Sequence, residues 1–393
     1  MYDVIIVGAG PVGSYIAGKL ATMRHKVLVM EAKESAGHKR CCTGIVGYEC
    51  VRSCSLESGL ILREVSEARL ISPSGKIIRL SRDKPQACVI DRKAFDLSMV
   101  AKAECRGATY LYSSPVRSIE LSSDRVKVTT AGEAGQRGFE ARAAVIASGF
   151  GRSLTESLGM GRYGDFVTGV QTEVTTAGVD EVTVYLGNHV APGFFAWLVP
   201  TSVERARVGL LARRTPAAYL RQFLSYLTGE GLIAQQDGVD FSYGSIPLRP
   251  LAKTCADRVL VVGDAAGQVK PTSGGGIYYG LICADIAVST LEAALTDNSL
   301  SARSLAAYDR QWRKKLKREL ITGYWVRKIY ERLGDGQIDG IFDIMKSSGM
   351  DRTLLETEDL SFDWHGDIIL RLVKDRVIAG AMHIVKIPSD INR

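Results

Sequence analysis

Val4-Ile5-Ile6-Val7-Gly8-Ala9-Gly10-Pro11-Val12-Gly13 decides how this chain begins to fold. An apolar run enters a G-x-G-x-x-G turn, and Ser14 to Met23 beyond it pattern as a helix. A second apolar run, Lys26 to Glu31, closes the unit. Both runs are continuous rather than alternating, as expected of strands buried on both faces of a parallel sheet. The opening therefore reads as βαβ.

In that setting each glycine has a task. Gly8 permits the tight turn, Gly10 lets the backbone approach a pyrophosphate, and Gly13 allows the helix to pack closely on the strand. The helix N-terminus offers free N–H groups and the positive end of its dipole. Glu31 ends the second strand, where a carboxylate accepts ribose hydroxyls and repels a 2′-phosphate. The expected ligand is FAD or NAD rather than NADP. The competing reading is a tight glycine turn in an unrelated α/β protein.

A second segment separates those two cofactors. Val259-Leu260-Val261-Val262-Gly263-Asp264-Ala265-Ala266-Gly267 is an apolar strand ending in Gly-Asp, followed by Pro271 and Gly274-Gly275-Gly276 at another helix start. A carboxylate there can accept from a ribityl hydroxyl. The glycine run lets N–H groups reach the pyrimidine edge of an isoalloxazine, where negative charge develops on reduction. NAD has neither feature, so FAD is the expected cofactor. The alternative for Asp264 is a plain helix N-cap.

The 393 residues, 46% hydrophobic and 24% charged, fit a large globular core of two or three interleaved domains. No run of ~18 uninterrupted apolar residues occurs, so no membrane span is expected. The N-terminus enters a strand directly, and nothing marks the protein for export. Eight cysteines then fit a reducing cytoplasm. Cys41, Cys42, Cys50 and Cys54 are bunched without paired Cys-x-x-Cys knuckles, so no metal site is expected. The net charge of +7 concentrates around Arg310, Arg313, Lys314, Lys315, Lys317 and Arg318. That stretch reads as a solvated helix face or a peripheral docking surface for anionic lipid on the inner face of the membrane. No nucleic-acid module accompanies it, so nucleic acid is excluded as a partner.

The expected fold is mixed α/β: a Rossmann-type FAD-binding domain interleaved with an antiparallel-sheet substrate domain, plus a C-terminal helical part. The boundaries expected are 1–165 and 251–300 for the FAD-binding domain, 166–250 for the sheet, and 301–393 for the helices. Residues 32–65 read as loop and short helix, followed by a hairpin around Pro73-Ser74-Gly75-Lys76. The charged C-terminal helices are expected to break at Gly334–Gly340 and at Gly349.

These paired fingerprints, with Ile90-Asp91-Arg92-x-x-Phe95-Asp96, resemble the flavoprotein group of aromatic hydroxylases, halogenases and geranylgeranyl reductases. Arg40-Cys41-Cys42-Thr43-Gly44 is similar to the reductases' Cys-x-x-Gly loop, and Phe195-Ala196-Trp197-Leu198-Val199-Pro200 to their Tyr-x-Trp-x-Phe-Pro substrate signature. Tyr308 and Trp312 resemble the start of their C-terminal helical part. The resemblance implies FAD contacts from Val12, Gly13, Glu31, Cys41, Cys42, Gly44, Arg92, Val116, Asp264, Gly275, Gly276 and Ile277. It implies substrate contacts from Phe195, Trp197, Lys270 and Pro271, and a thiol, Cys41 or Cys42, as candidate proton donor.

The chain departs from the pattern at Phe195 and Val199, which replace Tyr and Phe, and at Ser148-Gly149, where relatives carry Asp-Gly. Lys270 stands where a neutral or acidic residue is expected; it could attract a substrate phosphate, donate a proton or form a local charge pair. The implied activity is reduction of the alkenes of a prenyl lipid, with electrons from NAD(P)H or ferredoxin. Flavin monooxygenase or halogenase chemistry, and electron transfer to a quinone, are the alternatives.

Overall fold

The computed structural model describes residues 1–38, 41–132, 135–151, 153–176, 178–235, 238–347 and 362–364. Its first layer is a largely parallel sheet. Strand Tyr2–Val7 lies between Val27–Met30 and Gly135–Ile146, paired in parallel with both, and Thr109–Leu111 and Val259–Val261 continue the sheet on either side. Val4, Ile5 and Ile6 are fully enclosed, as their unbroken apolar pattern requires. Helices Pro11–Thr22, Arg92–Glu104 and Ile277–Thr296 pack on this layer. Ile277–Thr296 is the one described helix long and apolar enough to cross a membrane. Its Ile282, Cys283, Ala284, Ala287 and Leu291 are buried in the main core, which accounts for its composition.

The second layer is a seven-stranded sheet in the order Ser242–Pro247, Phe166–Thr175, Arg205–Ala212, Phe195–Pro200, Val182–Leu186, Glu67–Ile71, Ile77–Ser81. Helix Pro216–Gly229 covers one face with Leu220, Phe223, Leu224 and Leu227. The hairpin around Gly75 is therefore the far edge of this sheet, joined by parallel pairing of Glu67–Ile71 with Val182–Leu186. A small third sheet joins Ile45–Gly47, Ala87–Ile90 and Ile61–Val65.

Two expectations are corrected. The 32–65 stretch contains two strands beside its short helix Tyr48–Ser53. Helix Asp335–Ser347 runs through Gly336 and Gly340, and the break lies ahead of it, after Tyr330. Burial of Ile338 and Phe342 against the Ile77–Ser81 strand outweighs the poor helix propensity of the two glycines. Gly349 lies outside the described residues.

Candidate flavin site

Gly8 adopts φ +109°, donates its N–H to the Met30 carbonyl at 2.8 Å, and has the Ala147 carbonyl oxygen only 2.5 Å from where a Cβ would stand. A Cβ on Gly13 would overlap the Gly8 carbonyl oxygen. The turn is thus closed to side chains from both sides. Gly10 is the N-cap of helix Pro11–Thr22 and offers no side-chain cap, so the first N–H groups of the helix remain open to a ligand. Glu31, buried, accepts from Ala9 N–H at 2.8 Å and from Lys33 N–H at 3.0 Å, tying the glycine turn to the strand end. Ser114 N–H donates to the Glu31 carbonyl, which brings Val116, two residues on, beside that strand end.

The two fingerprints touch. The Val12 side chain lies 3.2 Å from the Cβ position of Gly263, which has φ +72°, and 2.5 Å from that of Gly280. Any larger residue at either glycine would push the segments apart. Asp264 sits in the turn Gly263–Ala266, and a Cβ on Gly276 would overlap its Oδ1. Lys270 N–H donates to Gly275 O at 3.1 Å and its carbonyl accepts from Gly274 N–H at 2.9 Å, closing the loop before Ile277 starts its helix.

Sequence reasoning missed what holds this loop from behind. Gln268, fully buried, accepts from Gly263 N–H at 2.7 Å and donates to Tyr308 OH at 2.8 Å; Tyr308 in turn donates to Val261 O at 2.8 Å. The only local signal was the Tyr308–Trp312 pair, which pointed to the C-terminal helices and not to the loop.

The cysteine loop packs on the uncovered face of the antiparallel sheet. Residues opposite one another on adjacent strands share a face. Leu186, Phe195, Val184, Trp197, Gly209, Gln171, Ser242, Gly169 and Gly244 are joined by such pairings or alternate with them along one face. Cys41 rests on Gly244 and Gly169, where added Cβ atoms would stand 3.2 Å from its Cβ and 3.7 Å from its Sγ. The Gln171 amide donates to Cys42 O at 3.1 Å, and Gly44 N–H points at Cys42 Sγ at 3.4 Å. Trp197 leans over Gly209, and its ring centroid lies 5.9 Å from that of Phe195. Gly274 abuts Ile246, two residues along the edge strand from Gly244. The flavin loop, the cysteine loop and the aromatic pair therefore converge on one sheet face. Arg40 lies outside the described residues.

Arg207 is a second residue that the sequence did not single out. Its guanidinium donates to Thr43 O at 2.8 Å and Ile90 O at 3.2 Å and pairs with Glu173, fixing the cysteine loop to the sheet. Arg92 forks onto Asp96 at 2.8 and 3.1 Å, while its buried Nε has no partner among the described residues. Burial opposes its charge, but Cys42, Asp96 and Asp264 around it outweigh that and push its pKa up. Burial, with Cys42 adding, pushes the Cys41 thiol up to about 12. Lys270, 4% exposed, donates to Phe362 O at 2.9 Å and lies 3.6 Å from Asp363. Its charge is thus met locally. Pro271 packs beside Gly323 of the long helix Ala302–Tyr330. All eight cysteines are free, and among the described residues no His, Cys, Asp or Glu cluster could hold a metal ion.

These residues fit FAD: a side-chain-free turn at an open helix N-terminus, an unpartnered Arg92 Nε, and a second glycine-rich helix start beside Asp264. A family model described as lycopene cyclase protein matches residues 3–326. The digeranylgeranylglycerophospholipid reductase 2 of Methanothermobacter thermautotrophicus is 30% identical over 358 residues, covering 86% of this chain and 90% of that protein. The chain belongs to the geranylgeranyl reductases, within the lycopene cyclase protein family. A second such reductase, from Methanocaldococcus jannaschii, is 29% identical over 359 residues, covering 88% of this chain and 91% of that protein. The geranylgeranyl bacteriochlorophyll reductase-like protein of Thermoplasma acidophilum shares the fold of this geranylgeranyl reductase family member, with a TM-score of 0.84 and 21% identity over 98% of this chain and 99% of that one. Flavin-dependent halogenases superpose less closely, at 0.67.

Proposed function

We propose that this FAD-dependent oxidoreductase saturates isolated C=C bonds in the geranylgeranyl chains of a prenyl lipid. The observation that carries the reading is the shared sheet face, on which Phe195 and Trp197 lie with the cysteine loop and the glycine loop of the flavin segment. An isoprenoid chain has no polar handle near its reacting bond, so it is held by apolar contact alone. A half-buried Phe195 and a Trp197 anchored over Gly209 supply such a wall. Bound and reduced, FAD would supply a hydride from N5.

The chain's own residues orient and protonate. Val12, Gly13 and Gly10 take the pyrophosphate, Glu31 and Val116 the adenosine end, Asp264, Gly275, Gly276 and Ile277 the ribityl and pyrimidine side. Arg92 adds charge through the guanidinium edge that Asp96 does not occupy. Burial keeps Cys41 in its thiol form, so it holds a proton and is no nucleophile, and it is the group assigned to protonate the alkene. Arg207 and Gln171 keep that loop in place. We assign residues 166–250, together with the 67–81 hairpin, to the substrate layer, the rest of 1–165 and 251–300 to the FAD layer, and the chain from 301 to the helical part.

The test is anaerobic incubation of dithionite-reduced protein with a geranylgeranyl ether lipid. Flavin reoxidation together with a gain of two hydrogens per bond, read by mass spectrometry, supports the proposal. Oxidation that requires dioxygen would mean monooxygenase or halogenase chemistry, and oxidation by a small quinone but not by lipid would mean electron transfer. Mixing oxidised protein with NADH, NADPH or reduced ferredoxin identifies the donor by bleaching of the flavin band. The exposed Arg310, Lys314, Lys317 and Arg318, opposite the buried Tyr308, Trp312 and Leu316, support docking to anionic membrane. Equal flotation with neutral and anionic vesicles would exclude it.

A further inference from the structure

Lys270 is a buried cation in the turn proposed to face the flavin, and nothing in the reduction proposed above uses its charge. Its surroundings come from a distant part of the chain. The Nζ donates to Phe362 O at 2.9 Å, lies 3.6 Å from Asp363 Oδ1, and stands 5.2 Å from the centre of the Phe362 ring. Asp363 fills the space over Gly47, where a Cβ would overlap its carboxylate. Trp364 Nε1 donates to Glu49 Oε2 at 2.9 Å, the oxygen that also accepts from Tyr278 OH at 2.6 Å, and its ring packs on Tyr278 and Tyr279. Three consecutive residues thus clasp the flavin turn, the first turn of the helix behind it, and the start of the helix that follows the cysteine loop.

We propose that Asp363 is a positioning residue that locks the Lys270–Gly276 turn through Lys270, so that seating of Phe362–Trp364 and binding of FAD stabilise each other. The coupling runs through one residue. The Lys270 backbone makes both hydrogen bonds that close the turn, to Gly275 O and from Gly274 N–H, and its side-chain stem lies along Gly275, 3.8 Å from that residue's Cβ position. Losing Asp363 would leave the lysine, 5% exposed, without its nearest carboxylate in a buried setting. Holding the side chain therefore holds the turn, and holding the turn in its FAD-bound shape holds the side chain under Asp363. Such linkage acts equally in both directions.

Two measurements on the full chain test this. The first is the FAD dissociation constant of wild type, Lys270→Met, Asp363→Asn and the double variant Lys270→Met/Asp363→Leu. Each single variant is expected to bind FAD about tenfold more weakly, within the usual range of coupling. The double variant should lose no more than the weaker single one, because it leaves no stranded charge. The second is hydrogen–deuterium exchange of a peptide spanning Phe362–Trp364, with and without FAD, which should slow on FAD addition by a comparable factor. Single variants within twofold of wild type, or exchange at 362–364 indifferent to FAD, overturn the proposal. The exchange arm needs no substitution, so it holds even where a variant fails to fold. Neither arm depends on the substrate, so failure here is distinct from failure of the alkene reading.

Discussion

Replacing Tyr308 by Phe removes one oxygen from a fully enclosed site and leaves the ring in place. That oxygen donates to Val261 O and accepts from Gln268 Nε2, each at 2.8 Å. Its loss leaves one buried N–H and one buried carbonyl without this partner, each costing about 1–3 kcal/mol. The carbonyl keeps a second lone pair, so the sum expected is about 2–4 kcal/mol. The cost falls on the flavin segment, because the same glutamine holds Gly263 N–H at 2.7 Å. Urea unfolding followed by tryptophan fluorescence reads the first effect as a lower midpoint at unchanged slope. Titration of apoprotein with FAD reads the second as weaker binding. Tyr324→Phe is the control, since its hydroxyl bonds Asp165 at 3.2 Å while Arg213 and Lys328 keep that carboxylate satisfied. Its cost should stay under about 1 kcal/mol. If Tyr308→Phe shifts neither quantity more than the control does, the buried chain does not sustain the loop.

Gly276→Ala would place a methyl group on Asp264 Oδ1 and 3.3 Å from Val269 Cγ2. FAD affinity should fall about five- to 150-fold, for an overpacking cost of about 1–3 kcal/mol, and unaltered FAD titration would remove Asp264 from the binding account. Cys41, held as a thiol up to about 12, should be alkylated by iodoacetamide at a rate still climbing through pH 9.5, near tenfold per unit. A plateau near pH 9, followed by peptide mass spectrometry, would contradict its burial. Asp165 is raised by burial but pulled down to about 2 by Arg213 and Lys328. Its folded pKa lies below the unfolded value of about 3.9, so its stabilisation is present above that pH and lost as pH falls toward 2. The stability gap between wild type and Asp165→Asn should therefore be full at pH 6, fall to about half by pH 3 and nearly vanish by pH 2, and a gap as large at pH 3 as at pH 6 refutes the assignment.

Local pattern made the first layer legible. The apolar runs 4–7 and 26–31 became the strands Tyr2–Val7 and Val27–Met30, and the glycine turn stands between strand and helix as its spacing requires. The strands Ile45–Gly47 and Ile61–Val65 escaped because one is only three residues long and the other, Ile-Leu-Arg-Glu-Val, is half-buried and carries two charges. The place of the 67–81 hairpin at the edge of the second sheet rests on pairing with residues more than a hundred positions away, which no local pattern records. At the site, glycines and carboxylates were readable because their chemistry is tied to backbone geometry. Arg207 and Gln268 were not, since such side chains are usually solvated and only the assembled layers enclose them. Lys270 was singled out because it stands where a neutral or acidic residue is expected, but its partner Asp363 lies too far along the chain for spacing to suggest it.

The way the two sheets share the chain governs how the protein can be made. Glu67–Ile71 waits for Val182–Leu186, and Gly135–Ile146 waits for Val259–Val261. During synthesis neither layer can finish until roughly the first two-thirds of the polypeptide has left the ribosome, and each has an unpaired border until then. Pairings this remote make for slow acquisition of structure. An incomplete nascent chain would present those borders to aggregation or to a chaperone, so folding cannot proceed one layer at a time from the N-terminus.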